Sequence, residues 1–429
     1  MGSDVFSKYK PAFELIPHVN DLLTDVYCRI QLKDATKSIA TRTYSSPQKY
    51  RKAWQTLLQH HEDTGQICPS NSSSASPSFL VLKSDAAVLP CWVNDYHVLN
   101  SNMVLDSYPL PRVDDILADC AKGHIWSHLD MMNSFSQTQV HPDDVHLTTV
   151  TTPFGLYEWT AMPQGLKNAP PIHQCQMNTA LCPFIGKICH IYIDDIVIWS
   201  NTVRKHIKHI DIIMKALIAV RLFCNLKKSA FFLTEMDFLG HHISTHGIEP
   251  NTLKIQKILD WPVSTSSTEV QAFLGLVRYI ASFLPKLADH MHVLTPLTNK
   301  IAKIHFSWTA EHQYAFNSIK APVIGADCLT VVDHTNLGKN KIFVTCDASD
   351  WHMGACLNFR ETWETAWPVT YDSMQLNPAK KNYPIHEKEL LAVVRALKKW
   401  RLDLLGTEFT VYTDHQMLEN FDTQCDLSR

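Results

Sequence analysis

Tyr192-Ile193-Asp194-Asp195 stands between two apolar, β-branched runs, Ile188 to Ile193 and Ile196 to Trp199. No other stretch constrains the fold as much. Two such runs around a short break read as a hairpin. On a regular strand, neighbouring side chains face opposite ways, whereas a tight turn lets two adjacent carboxylates approach one spot. Two anions held that close cost Coulomb energy unless a cation joins them. Taken alone, the four residues read equally well as an exposed Asp-Asp turn. Asp130, at the end of the alternating run His124 to Leu129, tips the reading toward a cation-binding set.

The surrounding text divides into four regions. Residues 1–48 are mixed and weakly periodic, an N-terminal extension to which the pattern assigns no role. Within 49–243, a short helix over 49–61 precedes a Ser-rich stretch, Ser70 to Ser78, that reads by composition as a flexible linker. Strand-like runs from Phe79-Leu80-Val81-Leu82 onward then alternate with helical stretches, predicting an α+β domain. Residues 244–335 are mostly helical. Ser266-Ser267-Thr268-Glu269 has capping-box spacing, and Val270, Phe273, Leu274 and Val277 share one face. Residues 336–429 open with the strand Lys341 to Cys346, continue with a helix over Ile385 to Trp400, and return to a strand, Phe409 to Thr413. Acids punctuate this unit. Asp347 follows the first strand, Asp414 the last, and Glu389 shares or borders a helix face with Val393, Leu397 and Trp400. A carboxylate on an apolar stripe is costly unless paired or metal-bound, although a solvated run with Glu387 and Lys388 would also explain it.

With 45% hydrophobic and 19% charged residues in 429, the chain can fill two or three cores and is not of disordered composition. A net charge of −3 leaves nucleic-acid binding to local patches: Lys205 to Lys208, Lys227-Lys228 and Lys398 to Arg401. The 12 cysteines include no Cys-x-x-Cys pair and read as buried thiols, while His241, His242 and His246 lack further ligands at metal spacing. Apolar runs are broken by charge short of a membrane span. Gly2 is followed by Phe6 where a myristoylation signal wants Ser or Thr, and no secretory core follows. The expectation is a soluble intracellular chain with no membrane partner, in a cytoplasmic particle or the nucleus.

Leu129-Asp130, Thr152-Pro153-Phe154-Gly155-Leu156-Tyr157-Glu158, Met162-Pro163-Gln164-Gly165-Leu166-Lys167-Asn168-Ala169-Pro170, Tyr192-Ile193-Asp194-Asp195 and Phe238-Leu239-Gly240-His241 occur in this order. So ordered, they resemble the reverse transcriptase of gypsy-class LTR retrotransposon polyproteins. Asp347-Ala348-Ser349, His386-Glu387-Lys388-Glu389-Leu390-Leu391-Ala392 and Tyr412-Thr413-Asp414-His415 resemble the front of the ribonuclease H domain that follows it. The resemblance implies a right-hand polymerase with fingers and palm over 49–243 and thumb/connection over 244–335, then a ribonuclease H-like α/β domain over 336–429. It implies RNA-directed DNA polymerisation on RNA and DNA primer–templates from deoxynucleoside triphosphates, and cleavage of an RNA–DNA hybrid. It also implies two Mg²⁺ ions (or Mn²⁺) per site, held by Asp130, Asp194 and Asp195 and by Asp347, Glu389 and Asp414. Phe135 would be the steric gate against a 2′-hydroxyl, Gln164 a residue near nucleotide and template, and Lys83 a fingers lysine facing the triphosphate. The Ser-rich stretch would then belong to the fingers edge rather than to a linker. Oligomeric state is left open.

The sequence also departs from the family. Cys91 stands where the family has a triphosphate-binding arginine, His97 replaces another arginine, and Pro171 and Cys175 depart from the usual text. Cysteine cannot offer bidentate charge to phosphate, which predicts weakened polymerisation. The family's fourth ribonuclease H acid falls beyond Arg429, so a C-terminally truncated domain with weak or no hybrid cleavage is expected. The runner-up reading is a decayed remnant that grips nucleic acid without turnover.

Overall fold

Strand β4 (Ile125–Asp130) lies between β8 (Asp195–Ser200) and β9 (Ala230–Leu233), antiparallel to both, and β7 (Cys189–Tyr192) completes a four-stranded sheet outside β8. Alternation along these strands sorts their side chains between two faces. Leu129, Ile196 and Ile198 point toward the helices Ala169–Leu181 and Val203–Ala219, joining Met177, Leu181, Ile210, Ile213 and Leu217 in one core. Truncating a residue as buried as Leu129 to alanine should cost about 2–5 kcal/mol. Under the same sheet, the fully buried His206 bonds the hydroxyls of Ser127 at 2.8 Å and Ser200 at 2.9 Å. Burial lowers its pKa to about 4, so it sits neutral.

The computed structural model describes residues 7–22, 26–39, 43–83, 88–323, 328–334 and 337–414. It separates into two units, residues 1–116 with 123–233, and residues 117–122 with 234–429. Besides the β4 sheet, the first unit holds a five-stranded sheet in the order β1-β6-β5-β2-β3. Its strands are β1 Ile67–Pro69, β2 Ser76–Val81, β3 Cys91–Asn94, β5 Val150–Thr152 and β6 Gly155–Trp159. Helix Arg51–Asp63 contributes Trp54 and Leu58 to its core with Trp92, Tyr96, Trp159 and Met162. The Ser-rich stretch is no free linker. Ser76–Val81 is a strand, Ser70 Oγ donates to Glu158 Oε2 at 2.7 Å, and Ser78 Oγ donates to the Thr151 carbonyl at 2.7 Å. Composition cannot register hydroxyls that are satisfied by partners distant in sequence. The N-terminal segment is likewise built in. Tyr9 and Ala12 enter the core beneath the β4 sheet, Cys28, Ile30 and Ile39 enter the other, and Cys28 bridges Val140.

The second unit begins with a three-stranded antiparallel sheet, β10 Met236–Phe238, β11 His241–Ser244 and β12 Gly247–Pro250. His241 stacks on Tyr279 and Phe283, and His242 Nδ1 bonds Asp237 at 2.9 Å. In the helical region, Ser266 caps Ser267–Tyr279 by accepting from the Glu269 N–H, while Glu269 reaches back to the Thr265 N–H rather than to Ser266. A second mixed sheet follows in the order β15-β14-β13-β16. These strands are β13 Lys341–Ala348, β14 His352–Arg360, β15 Trp367–Gln375 and β16 Phe409–Tyr412, with β13 and β16 parallel. Helix Ile385–Lys399 packs on this sheet through Ala392 and Ala396. Among the described cysteines, Cys28, Cys120, Cys189, Cys224 and Cys346 are buried and the rest are not. No described helix is long and apolar enough to cross a membrane.

Candidate active sites

The hairpin forms as the sequence implied, with an unusual tip. Tyr192 pairs with Asp195, leaving Ile193 and Asp194 as the turn. Ile193 has φ +53°, a conformation that is a genuine outlier for a β-branched residue and costs on the order of 1–3 kcal/mol. Gln174, fully buried in helix Ala169–Leu181, holds that strained turn. Its Oε1 accepts from the Ile193 N–H at 2.8 Å, and its Nε2 donates to the Ile191 carbonyl at 3.2 Å. No local signal marks this role, because a neutral glutamine in a helix reveals neither its direction nor its partner.

Asp130 and Asp195 are direct partners across β4 and β8. The Met131 N–H donates to the Asp194 carbonyl at 2.9 Å, which ties the turn to the segment just past Asp130. All three aspartates therefore meet at one end of the sheet. Burial raises the pKa of Asp194, and the charges of Asp195 and Asp130 raise it further, with the Ser134 hydroxyl and Lys228 acting the other way. Asp130 Oδ1 is buried with no hydrogen-bond partner, though Lys228 Nζ lies 3.4 Å from it. Clustered, partly desolvated carboxylates with an unmet oxygen fit hard divalent cations. Ser134 Oγ donates to Asp194 Oδ1 at 2.6 Å, and His128 Nε2 meets Asp195 Oδ1 at 2.8 Å. Neither residue was singled out by its sequence.

The other expected residues belong to the same unit. Phe135 sits in the 3₁₀ turn Ser134–Gln137, half-buried, its ring edge-on to His173 at 5.9 Å. Gln164 is exposed before helix Ala169–Leu181. Its neighbour Gly165 has φ +97°, and a Cβ there would lie 2.9 Å from the Asn94 carbonyl oxygen, so glycine is required. Asn100 pins the same loop through the Gly165 carbonyl and the Lys167 N–H, both at 2.8 Å. Lys83 is exposed just past β2, and Cys91 pairs with Val81 across β2 and β3. The Cys91 thiol turns to the Trp92 carbonyl, and His97 is bonded to Asp95.

The second unit gathers Asp347, Glu389 and Asp414, whose ligand atoms all lie within 4.8 Å of one another. Among the described residues this is the one group of three so close; Asp130, Asp194 and Asp195 are more spread. Parallel pairing of β13 with β16 brings Asp347 and Asp414 to adjacent strands, and Glu389 comes from the helix above. Glu389 is 2% exposed. It accepts from the Ala348 N–H at 3.0 Å and from Thr413 Oγ1 at 3.3 Å. Burial, then the charges of Asp414 and Asp347, raise its pKa. A buried acid between two others again suits a divalent cation. His415 and the residues to Arg429 lie outside the described residues.

Residues 87–243 match the family "Reverse transcriptase (RNA-dependent DNA polymerase)", and residues 338–429 match "RNase H-like domain found in reverse transcriptase". The chain is 34% identical over 404 residues to the retrovirus-related Pol polyprotein from transposon 297 of Drosophila melanogaster, covering 91% of this chain and 37% of that protein. The corresponding polyprotein from transposon opus of the same fly is 30% identical, with 94% and 41% covered. The Tf2-3 transposon polyprotein of Schizosaccharomyces pombe is 31% identical, with 91% and 29% covered. The chain thus spans well under half the length of these relatives. Among solved structures, the foamy viral protease-reverse transcriptase dRH in complex with double-stranded DNA has a similar fold, with a TM-score of 0.84 at 22% identity, covering 99% of this chain and 73% of that one. The foamy viral protease-reverse transcriptase in complex with an RNA/DNA hybrid gives a TM-score of 0.79 at 22% identity, with 99% and 57% covered.

Proposed function

The chain belongs, over residues 87–243, to the reverse transcriptase family and, over residues 338–429, to the RNase H-like family found in reverse transcriptases, and from that premise we propose that it extends a DNA primer on RNA or DNA templates. The substrates are deoxynucleoside triphosphates. The observation that carries this reading is the convergence of Asp130, Asp194 and Asp195 at one sheet end. These three would hold a pair of Mg²⁺ ions, which when bound lower the pKa of the primer 3′-hydroxyl and neutralise the triphosphate. The chain's own residues provide the frame. Gln174 keeps the turn closed, Phe135 borders the sugar and excludes a 2′-hydroxyl, and the rigid Gly165 loop carries Gln164 toward the base pair. Lys83 offers its ammonium to the triphosphate.

Asp347, Glu389 and Asp414 would hold Mg²⁺ at a second site for cleavage of the RNA strand of an RNA–DNA hybrid, a duplex read by shape and 2′-hydroxyls, with turnover expected to be weak. Primer extension on homopolymeric RNA tests the first site. Wild-type chain should extend with Mg²⁺ and Asp194→Asn should not; equal extension by both would refute the assignment. Hybrid cleavage by wild type against Glu389→Gln reads the second site separately. A non-catalytic, nucleic-acid-gripping role is the second reading, favoured by the uncharged Cys91 thiol turned to a backbone carbonyl. Salt-dependent binding of primer–template without any extension would support it.

A further inference from the structure

Each aspartate of the hairpin is gripped through one oxygen by a side chain from the segment that carries Asp130. Ser134 holds Asp194 Oδ1 and His128 holds Asp195 Oδ1, at 2.6 and 2.8 Å. His128 lies two residues before Asp130 on β4 and so shares its face. Because Asp130 is the direct partner of Asp195, His128 reaches Asp195 as a diagonal neighbour. Ser134 opens the 3₁₀ turn after β4 and is 4% exposed, so little water competes for its hydroxyl.

Neither contact is needed to build the hairpin, which the β4–β8 ladder, the Met131–Asp194 backbone bond and Gln174 already fix. What they fix is side-chain direction. An ionised carboxylate has about four lone-pair sites, so one donor on Oδ1 sets the rotamer and leaves the second oxygen to a cation. Both grips also hold like charges in place that would otherwise swing apart. We propose that Ser134 and His128 are positioning residues for the cation-binding carboxylates Asp194 and Asp195. The proposal takes its reaction from the polymerase reading above, but metal binding alone can test the grip.

The test uses the full chain carrying Glu389→Gln, which weakens the second acid cluster, titrated with Mn²⁺ and followed by electron paramagnetic resonance. Ser134→Ala, His128→Leu and His128→Gln are added singly. Partners that orient ligating groups typically contribute 10- to 100-fold in metal affinity, so Ser134→Ala and His128→Leu should each raise the Mn²⁺ Kd about tenfold. His128→Gln places an amide N–H near the former Nε2 and should stay within about threefold of the parent on the same scale. Melting temperatures identify any variant that has lost its fold, and the remaining variants then decide. Unchanged Kd in the folded variants overturns the proposal, as does a His128→Gln chain binding as weakly as His128→Leu. The two readings also fail separately. Altered Mn²⁺ binding in a chain that never extends a primer sinks the polymerase reading and supports this one. Extension by wild type, with Mn²⁺ binding indifferent to these variants, does the reverse.

Discussion

His173 provides a test of the site's interior that needs no ligand. It lies in helix Ala169–Leu181 with none of its surface exposed, edge-on to Phe135. Neither ring nitrogen makes a hydrogen bond of good geometry, and burial pushes the pKa from 6.5 down to about 4, with the Gln176 side chain acting the other way. Protonation therefore favours the unfolded chain. Stability due to this group is complete above the unfolded value and falls as pH drops toward the folded one. Linkage between those two values gives a loss of about 2 kcal/mol from pH ~7.5 to pH ~5. His173→Phe keeps a ring against Phe135 and removes the titration. Its melting temperature, followed by tryptophan fluorescence, should fall less over that range than the wild-type value, by roughly 4–8 °C for a unit of this size. At neutral pH the variant should also be slightly more stable, since two desolvated nitrogens are gone. Parallel pH profiles for the two proteins would mean that His173 does not carry this pH dependence.

Three further outcomes follow from the same geometry. Gln174→Leu leaves the half-buried Ile193 N–H and the buried Ile191 carbonyl unpaired and should cost about 2–4 kcal/mol in denaturant unfolding, with extension depressed more than primer–template binding; an unaltered midpoint would mean the turn stands without its clamp. Gly165→Ala meets both a φ of +97° and the Asn94 carbonyl and should lose about 1–3 kcal/mol, readable by calorimetry. Cys91→Arg should speed extension roughly tenfold or more, because a charge-assisted bond to phosphate contributes about 1.5–3 kcal/mol; equal rates would show that Cys91 is not a defect.

The hairpin and its acids were legible in the sequence because period-2 runs and a charged break are local signals. So were helix Ser267–Tyr279 with its serine cap, and the strand–helix–strand order around Asp347, Glu389 and Asp414. Contacts made far along the chain left no such trace. Residues 7–22 and 26–39 lack a regular period because they enter two cores, in part through isolated bridges such as Cys28 with Val140 and Leu32 with Met103. The Ser-rich stretch misled because its hydroxyls bond Glu158 and the Thr151 carbonyl. An isoleucine at positive φ contradicts its own propensity, so neither Ile193 nor the glutamine that holds it could be read locally. Ser134 and His128 look like ordinary strand and turn residues until register places them against Asp194 and Asp195.

Asp130, Asp194 and Asp195 are proposed to hold together the cations of a polymerase site. Anomalous diffraction from crystals of the chain grown with primer–template, an incoming nucleotide and Mn²⁺ tests it most directly. Mn²⁺ peaks bounded by the carboxylates of all three residues, lost in Asp194→Asn, are the expected result. Mn²⁺ density confined to Asp347, Glu389 and Asp414, with none at the hairpin, would contradict it.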